Sequence, residues 1–187
     1  MSGYGVMVQE ICEALDQAPT HVFLQGGVGG LAAGVIAALR QYWGDASPRA
    51  IIVEPELAAC LFESAKFGSA TKVDIAEETL MAGLSCGEPS GLAWEILSEE
   101  ATDYLTIPEA LVAPTVRLLA KPTGGDTPME VGESAVAGLA ALIAAMEDAP
   151  LASKLGLGPT SRVLLIGSEG VTDQASFDMI MQSNAAA

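Results

Sequence analysis

Gly26, Gly27, Gly29 and Gly30 are the residues best placed to do chemistry, because of what flanks them. Before them, Val22, Phe23 and Leu24 form a short apolar run typical of a buried strand. After them, Leu31, Val35, Leu39 and Tyr42 recur at spacings of four, four and three, the period of a helix. Strand, glycine turn and helix in that order make an anion site. The start of a helix leaves backbone N–H groups unpaired and carries the positive end of the helix dipole. Glycines let the backbone reach positive φ and let a phosphate approach with no Cβ in the way. The expected chemistry is retention of the phosphate of a small cofactor.

Two further groups sit where the same crevice would reach them. Glu54 ends the apolar run 49–54, and Ser168 follows the run Val163–Ile166. Ligands of parallel sheets bind beyond the carboxyl ends of the strands, so the glycine loop, Glu54 and Ser168 are expected to line one crevice. The stretch Gly27-Val28-Gly29-Gly30-Leu31-Ala32 also fits G-x-G-x-x-A, with Glu54 where a Rossmann acid takes a ribose hydroxyl. A dinucleotide site therefore stands as a rival, as does a tight strand–helix turn with no ligand. His21 opens the first strand with no clustered ligands around it, so it reads as an ordinary, partly buried histidine, and no metal site is expected.

The elements that must hold these residues alternate. A helix is expected over 5–17, with Val6, Ile11, Leu15 and Val8 inward, then the central strand, glycine loop and helix. A strand follows at 49–54, a helix at 57–66, and a long irregular stretch at 68–91. Next come a helix at 92–100, a strand at 103–107 and a helix opened by Pro108 that Pro114 kinks or restarts. After the loop 120–130 the clearest helix spans 134–147, with Val136, Leu139, Ile143 and Met146 on one stripe. A turn at 151–158, a strand at 163–166 and a helix at 173–182 complete the chain, with a frayed alanine tail. The continuous apolar strands predict a sheet covered on both faces. The fold class is α/β: one three-layer, Rossmann-like domain over residues 1–187, with a mainly parallel sheet of about four strands.

Composition narrows the function classes. The 187 residues carry 24 acids against 8 bases, a net charge of −16, which argues against nucleic-acid binding and against anionic membranes. No run approaches the roughly 20 apolar residues of a membrane span. Cys12, Cys60 and Cys86, an odd set without C-x-x-C, fit free thiols in a reducing, cytoplasmic setting.

The segments GYGVMVQEICEAL, PTHVFLQGGVGGLAAGV, IIVEPE, MAGLSCGEPS and IGSEGVTD, in that order, resemble the carboxyl-terminal half of the diaminopropionate ammonia-lyase family. These enzymes belong to the tryptophan-synthase-β-like (fold-type II) group that uses pyridoxal 5'-phosphate. GLSCGEPS is the segment most specific to the lyases, whereas the glycine loop and strand-end serine are shared with threonine dehydratase and serine racemase. The resemblance implies half of a fold-type II pyridoxal-phosphate enzyme. Gln25, Gly26, Gly27, Val28, Gly29 and Gly30 would cradle the cofactor phosphate through backbone N–H groups. Ser168 would meet the pyridine nitrogen, with Thr172 as second choice. Ser85, Glu88 and Ser90 would border an amino-acid substrate, and Glu88 would meet its second amino group.

The same resemblance implies that the Schiff-base lysine and the catalytic acids belong to an amino-terminal half that precedes this chain. Lys66, Lys72, Lys121 and Lys154 read as solvated side chains, and no catalytic residue is expected here. Val171 stands where an aspartate is expected. The implied function is α,β-elimination of 2,3-diaminopropionate to pyruvate and ammonia, with the missing half supplied by a partner, or the exposed apolar surface covered by homo-oligomerisation. Two alternatives stand beside it: a non-catalytic, truncated binding or interaction module, and a nucleotide-binding oxidoreductase fragment.

Overall fold

The computed structural model describes residues 3–183; the alanine tail lies outside them. Four strands, β1 (His21–Gln25), β2 (Arg49–Pro55), β3 (Asp103–Ile107) and β4 (Val163–Leu165), form one sheet in the order β3-β2-β1-β4. Every pairing is parallel, with Phe23 opposite Ile51 on one side and Leu165 on the other. Parallel neighbours need crossovers, and the helices supply them.

Side-chain alternation along the strands divides the core in two. Val22, Leu24, Ala50 and Ile52 point to one face and pack with α1 (Tyr4–Ala14), α2 (Gly30–Trp43), α3 (Cys60–Phe67) and α4 (Gly91–Glu100). Phe23, Ile51, Val53 and Ile107 point to the other and pack with α5 (Val112–Ala120), α6 (Ala137–Glu147), α7 (Ala149–Leu155) and α8 (Gln174–Gln182). All five residues of β1 are buried, as expected of a central strand covered on both faces. Full burial of each Phe, Leu or Ile here contributes about 1.5–3 kcal/mol.

Three helix faces differ from the expected ones. In α1 the buried pair is Val8 and Cys12, while Val6 and Leu15 are exposed. In α2, Val35 and Leu39 are buried as expected, but Tyr42 is exposed and Ala32, Ala33 and Ile36 complete the inner face. In α6 the inward face is Ala137, Gly138, Ala140, Ala141 and Ala145, and Met146 is exposed. The helix lies so close to the sheet that a Cβ at Gly138 would stand 3.0 Å from the Phe23 carbonyl oxygen. Only small residues permit that approach, so of the expected stripe Val136 is buried, Leu139 and Ile143 are half-buried and Met146 is exposed. Pro114 falls in the first turn of α5, where its missing N–H costs no helical hydrogen bond. No single helix among the described residues is long and apolar enough to cross a membrane.

β4 forms one edge of the sheet. Its sequence, VLL, carries none of the charges that usually protect an edge, and its residues are only half-buried.

Candidate functional site

The carboxyl end of β1 runs straight into the glycine loop, and the geometry of that loop follows from what surrounds it. The Gly26 N–H donates to the Val53 carbonyl at 2.7 Å, so this glycine extends the strand ladder and its N–H is taken. A Cβ on Gly26 would lie 2.9 Å from both Glu54 Cγ and Ile52 Cγ2. Gly29 caps α2 at φ 90°, and a Cβ there would meet Leu97 Cδ1 at 2.9 Å. This is the one position in the loop where positive φ itself demands glycine. Ser90 N donates to the Val28 carbonyl at 2.9 Å, and Cys60 Sγ donates to the Gly27 carbonyl at 3.5 Å. With the carbonyls fastened from behind, Gly27 to Gly30 form the turn that opens α2.

A cleft of about 260 Å³ opens in front of that turn. Gln25, Gly27, Val28, Gly29, Gly30 and Leu31 line one side, and Ser168 and Glu169 close another. Tyr4, Gly83, Leu84, Cys86 and Ser134 complete the wall. Among the described residues no lysine or arginine lines the cleft, and the first turn of α2 has no acidic side chain. Attraction for an anion therefore rests on backbone N–H groups and the helix dipole, which contributes about 0.3–1 kcal/mol near an exposed helix start.

Ser168 and Gln25 are brought together. Gln25 is buried, and its Nε2 donates to the Ile166 carbonyl at 2.9 Å and to Ser168 Oγ at 3.0 Å. Ser168 itself is exposed at the cleft. Thr172 is exposed and does not line the cleft. Val171 packs against the apolar cluster that contains Phe177 and Ile180, so its side chain serves the core.

The three expected substrate residues do not line the cleft. The Ser85 hydroxyl donates to Glu78, the Glu88 carboxylate pairs with Lys72 at 2.8 Å, and Ser90 contributes its backbone N–H behind the glycine loop. Lys66, Lys72, Lys121 and Lys154 are all exposed, and none lines the cleft.

Glu54 departs most from its expected place. Its side chain is fully buried, and its two oxygens accept from Leu61 N at 2.9 Å and Phe62 N at 2.7 Å at the start of α3. It caps a helix beneath the glycine loop and does not line the crevice, which removes the ribose acid that the dinucleotide reading requires. Burial pushes its carboxyl up to about 7, against the opposing pull of the Leu61 and Phe62 N–H groups. Burial and then the nearby Glu54 push the Cys60 thiol up to about 12, so it stays protonated and able to donate to Gly27. The same two causes, in the same order, raise Tyr104, whose hydroxyl donates to the Leu97 carbonyl at 2.8 Å.

Sequence reasoning missed the bracing of the far wall. Ser134, which is buried, donates its N–H to Glu169 Oε2 at 2.9 Å, and its Oγ accepts from Gly83 N at 3.0 Å. A Cβ on Gly132 would lie 2.6 Å from Glu169 Oε2. Three segments distant in sequence are thus tied around one serine. The long stretch 68–91 and the position of Glu169 beside Ser168 were the only signals in the sequence. Among the described residues no group of three histidine, cysteine or acidic side chains could hold a metal.

Known proteins share this fold. The chain is 38% identical over 179 residues to diaminopropionate ammonia-lyase of Escherichia coli (strain K12), covering 92% of this chain and 45% of that protein. It is 33% identical over 197 residues to the Salmonella typhimurium (strain LT2) enzyme of the same name, covering all of this chain and 49% of that protein. The crystal structure of the Escherichia coli lyase in complex with an aminoacrylate-PLP azomethine reaction intermediate matches with a TM-score of 0.87 at 36% identity, over 96% of this chain and 47% of that one. A fungal L-serine ammonia-lyase from Rhizomucor miehei matches at 0.80 and 25% identity, over 96% and 55%. The chain therefore spans about half the length of the curated relatives it matches. Residues 1–169 match the family model described as pyridoxal-phosphate dependent enzyme, and this chain belongs to that family.

Proposed function

We propose that this chain is the phosphate- and ring-binding part of a pyridoxal-phosphate-dependent ammonia-lyase that converts 2,3-diaminopropionate to pyruvate and ammonia by α,β-elimination. One observation carries the reading: the glycine turn at the start of α2 and the Ser168 hydroxyl open onto the same cleft. The residues present suit the group. The turn offers backbone donors with no side chain in the way, and Ser168 offers a neutral hydroxyl. The similarity to lyases of that name supports the substrate assignment.

When bound, pyridoxal phosphate supplies the electron sink for loss of the α-proton. The chain's own residues bind and orient. The N–H groups of Gly27, Val28, Gly29 and Gly30 hold the phosphate, Gly26 having spent its own on Val53. Gln25 acts through its side chain. Ser168 orients the ring, with Thr172 as the alternative hydroxyl. Ser85, Glu88 and Ser90 do not line the cleft as the chain stands, so a substrate-bordering role for them requires their loop to turn toward it. For Glu88 to meet the second amino group it must first release Lys72, an exposed pair that contributes little.

Among the described residues no lysine reaches the cleft, so on this reading turnover requires the amino-terminal half of the family fold, from the same polypeptide or from another. The unprotected β4 edge is the natural boundary with that half, or with a second copy of the chain. We take residues 1–187 as one cytoplasmic α/β unit with no nucleic-acid or membrane partner. A second reading, a non-catalytic binding module, is favoured by the same lack of a lysine.

Titration of the purified chain with pyridoxal phosphate, then borohydride trapping and peptide mapping, tests the proposal. Reversible binding without an adduct is expected, with elimination appearing only when the other half is supplied. An adduct at a single lysine would overturn the assignment of that lysine to the other half. A failure to bind the cofactor would leave the non-catalytic module.

A further inference from the structure

We infer that Glu169 is the specificity-determining residue of the cleft, the carboxylate that takes the protonated second amino group of a diamino-acid substrate. This rests on the cofactor reading above. Among the described residues that line the cleft, Glu169 is the only one with a charged side chain. A ligand whose phosphate sits at the glycine turn therefore meets one formal charge there, and that charge is negative. The α-amino group of a substrate is used in joining it to the cofactor, and the substrate carboxylate is repelled by Glu169. The second amino group is the part that a carboxylate favours, through charge-assisted hydrogen bonds.

The carboxylate is built into place. Gly132 N donates to the Glu169 carbonyl at 3.1 Å, and Ser134 N donates to Glu169 Oε2 at 2.9 Å. A Cβ at Gly132 would lie 2.6 Å from that same oxygen, so the wall closes on it with no room for a side chain. Oε1 is different. Among the described residues it accepts no hydrogen bond, and it lies toward Gly83. A Cβ at Gly83 would stand 3.5 Å from Oε1 and 2.9 Å from Ser134 Oγ. Glycine at 83 keeps that gap, which both oxygens border, empty. An ammonium carries three donors, so a ligand amine reaching the gap finds the free Oε1 and, beside it, a serine oxygen.

Glu88 is the other carboxylate offered for this role, but it pairs with Lys72 and does not line the cleft. Glu169 needs no loop movement. An opposite charge favours the protonated amine. When the Cβ–N bond breaks, its electron pair leaves with a nitrogen that already carries three protons, and neutral ammonia departs. The contact that selects the substrate thus also keeps its leaving group ready.

The test measures calorimetric affinities of two stable probes for the native chain and for Glu169→Gln. They are the phosphopyridoxyl amines of 2,3-diaminopropionate and 2-aminobutyrate, each joined through the α-amino nitrogen. The second carries a methyl group where the first carries its ammonium. The native chain is expected to bind the diamino probe about tenfold more tightly, the low end for a hydrogen bond to a charged group, and Glu169→Gln to bind both equally. Glutamine keeps an acceptor for Ser134 N. Should that variant fold poorly, the native chain alone gives a second readout. Its preference is expected to fall toward unity at a pH where the probe's side amine is neutral, while Tyr4 and Cys86, the other titratable side chains of the cleft, face both probes alike. A merely structural Glu169 would lower both affinities and leave their ratio unchanged. Equal native affinities, or a ratio that survives Glu169→Gln or the neutral amine, overturns this inference alone. So does a ratio lost only in Glu88→Gln, which gives the amine to Glu88. Failure of the native chain to bind either probe overturns the cofactor reading and the inference with it.

Discussion

Glu54 makes the native state carry a cost that depends on pH, a cost that the variant Glu54→Gln would not carry. The side chain is fully buried, and burial raises its pKa from 4.5 to about 7. The sign follows from where the proton is held. Below pH 4.5 both folded and unfolded chains keep it, and the shift has no effect on stability. Between 4.5 and 7 the unfolded chain releases it while the native chain retains it, so stability falls as pH rises. Above 7 both are ionised and the cost is complete, about 3 kcal/mol at roughly 1.4 kcal/mol per pKa unit. From pH 5 to pH 8 the difference in unfolding free energy between native chain and Glu54→Gln should therefore drop by about 2.5 kcal/mol. For a chain of this length that is about 5–10 °C in relative melting temperature. The other acids cancel in the difference, because both proteins carry them. Glutamine keeps the shape and one acceptor, but its NH2 faces either Leu61 N or Phe62 N, so the variant loses about 1–3 kcal/mol near pH 5. Urea denaturation of both proteins at pH 5, 6, 7 and 8 gives the comparison. Parallel stability profiles would refute the reasoning, since they would mean that Glu54 titrates normally and that its burial is relieved by water or by movement of α3.

Gly29→Ala should destabilise the chain by about 1–3 kcal/mol in chemical denaturation, because φ is 90° and the added Cβ meets Leu97 at 2.9 Å. A loss below about half a kcal/mol would mean that the turn relaxes. Gly27→Val should abolish pyridoxal-phosphate binding measured by calorimetry, since its Cβ points at Cys86 Sγ and the Gly83 carbonyl, both 3.3 Å away, and its methyl groups must displace one cleft wall; unchanged affinity would take the loop out of the site. Ser168→Ala should weaken the cofactor's hold by about 1 kcal/mol. If Ser168→Ala is silent while Thr172→Val is not, Thr172 is the ring partner.

How much of this was legible in the sequence depends on the range of each interaction. The β1–glycine–α2 unit and all four strands could be read because their signals are local: apolar runs, glycines and helical spacing lie within a few residues of one another. The faces of α1 and α6 could not be read in the same way. Periodicity assigns the bulkiest residues to the core, but α6 approaches β1 closely enough that only alanine and glycine fit, leaving Met146 outside. Apolar weight marks a face only where the sheet leaves room for it.

The site shows the same limit at longer range. Glu54 reads as a strand-end acid ready for a ligand, yet its partners are two backbone N–H groups of α3, which no side-chain pattern reveals. Gln25 reads as one more member of the cradle, yet its amide bonds Ser168, 143 residues away. Both side chains are polar and buried at the root of the glycine loop, and such groups must find partners. Glu54 holds α3 beneath the loop, and Gln25 holds the β4 end beside it. The loop itself contributes almost no side chains, so its shape is set by neighbours: Ser90 N and Cys60 Sγ hold its carbonyls, and Glu54 and Gln25 hold the elements on either side. A glycine motif reports that a phosphate can approach; the buried polar residues on either side decide what else the ligand will meet when it arrives.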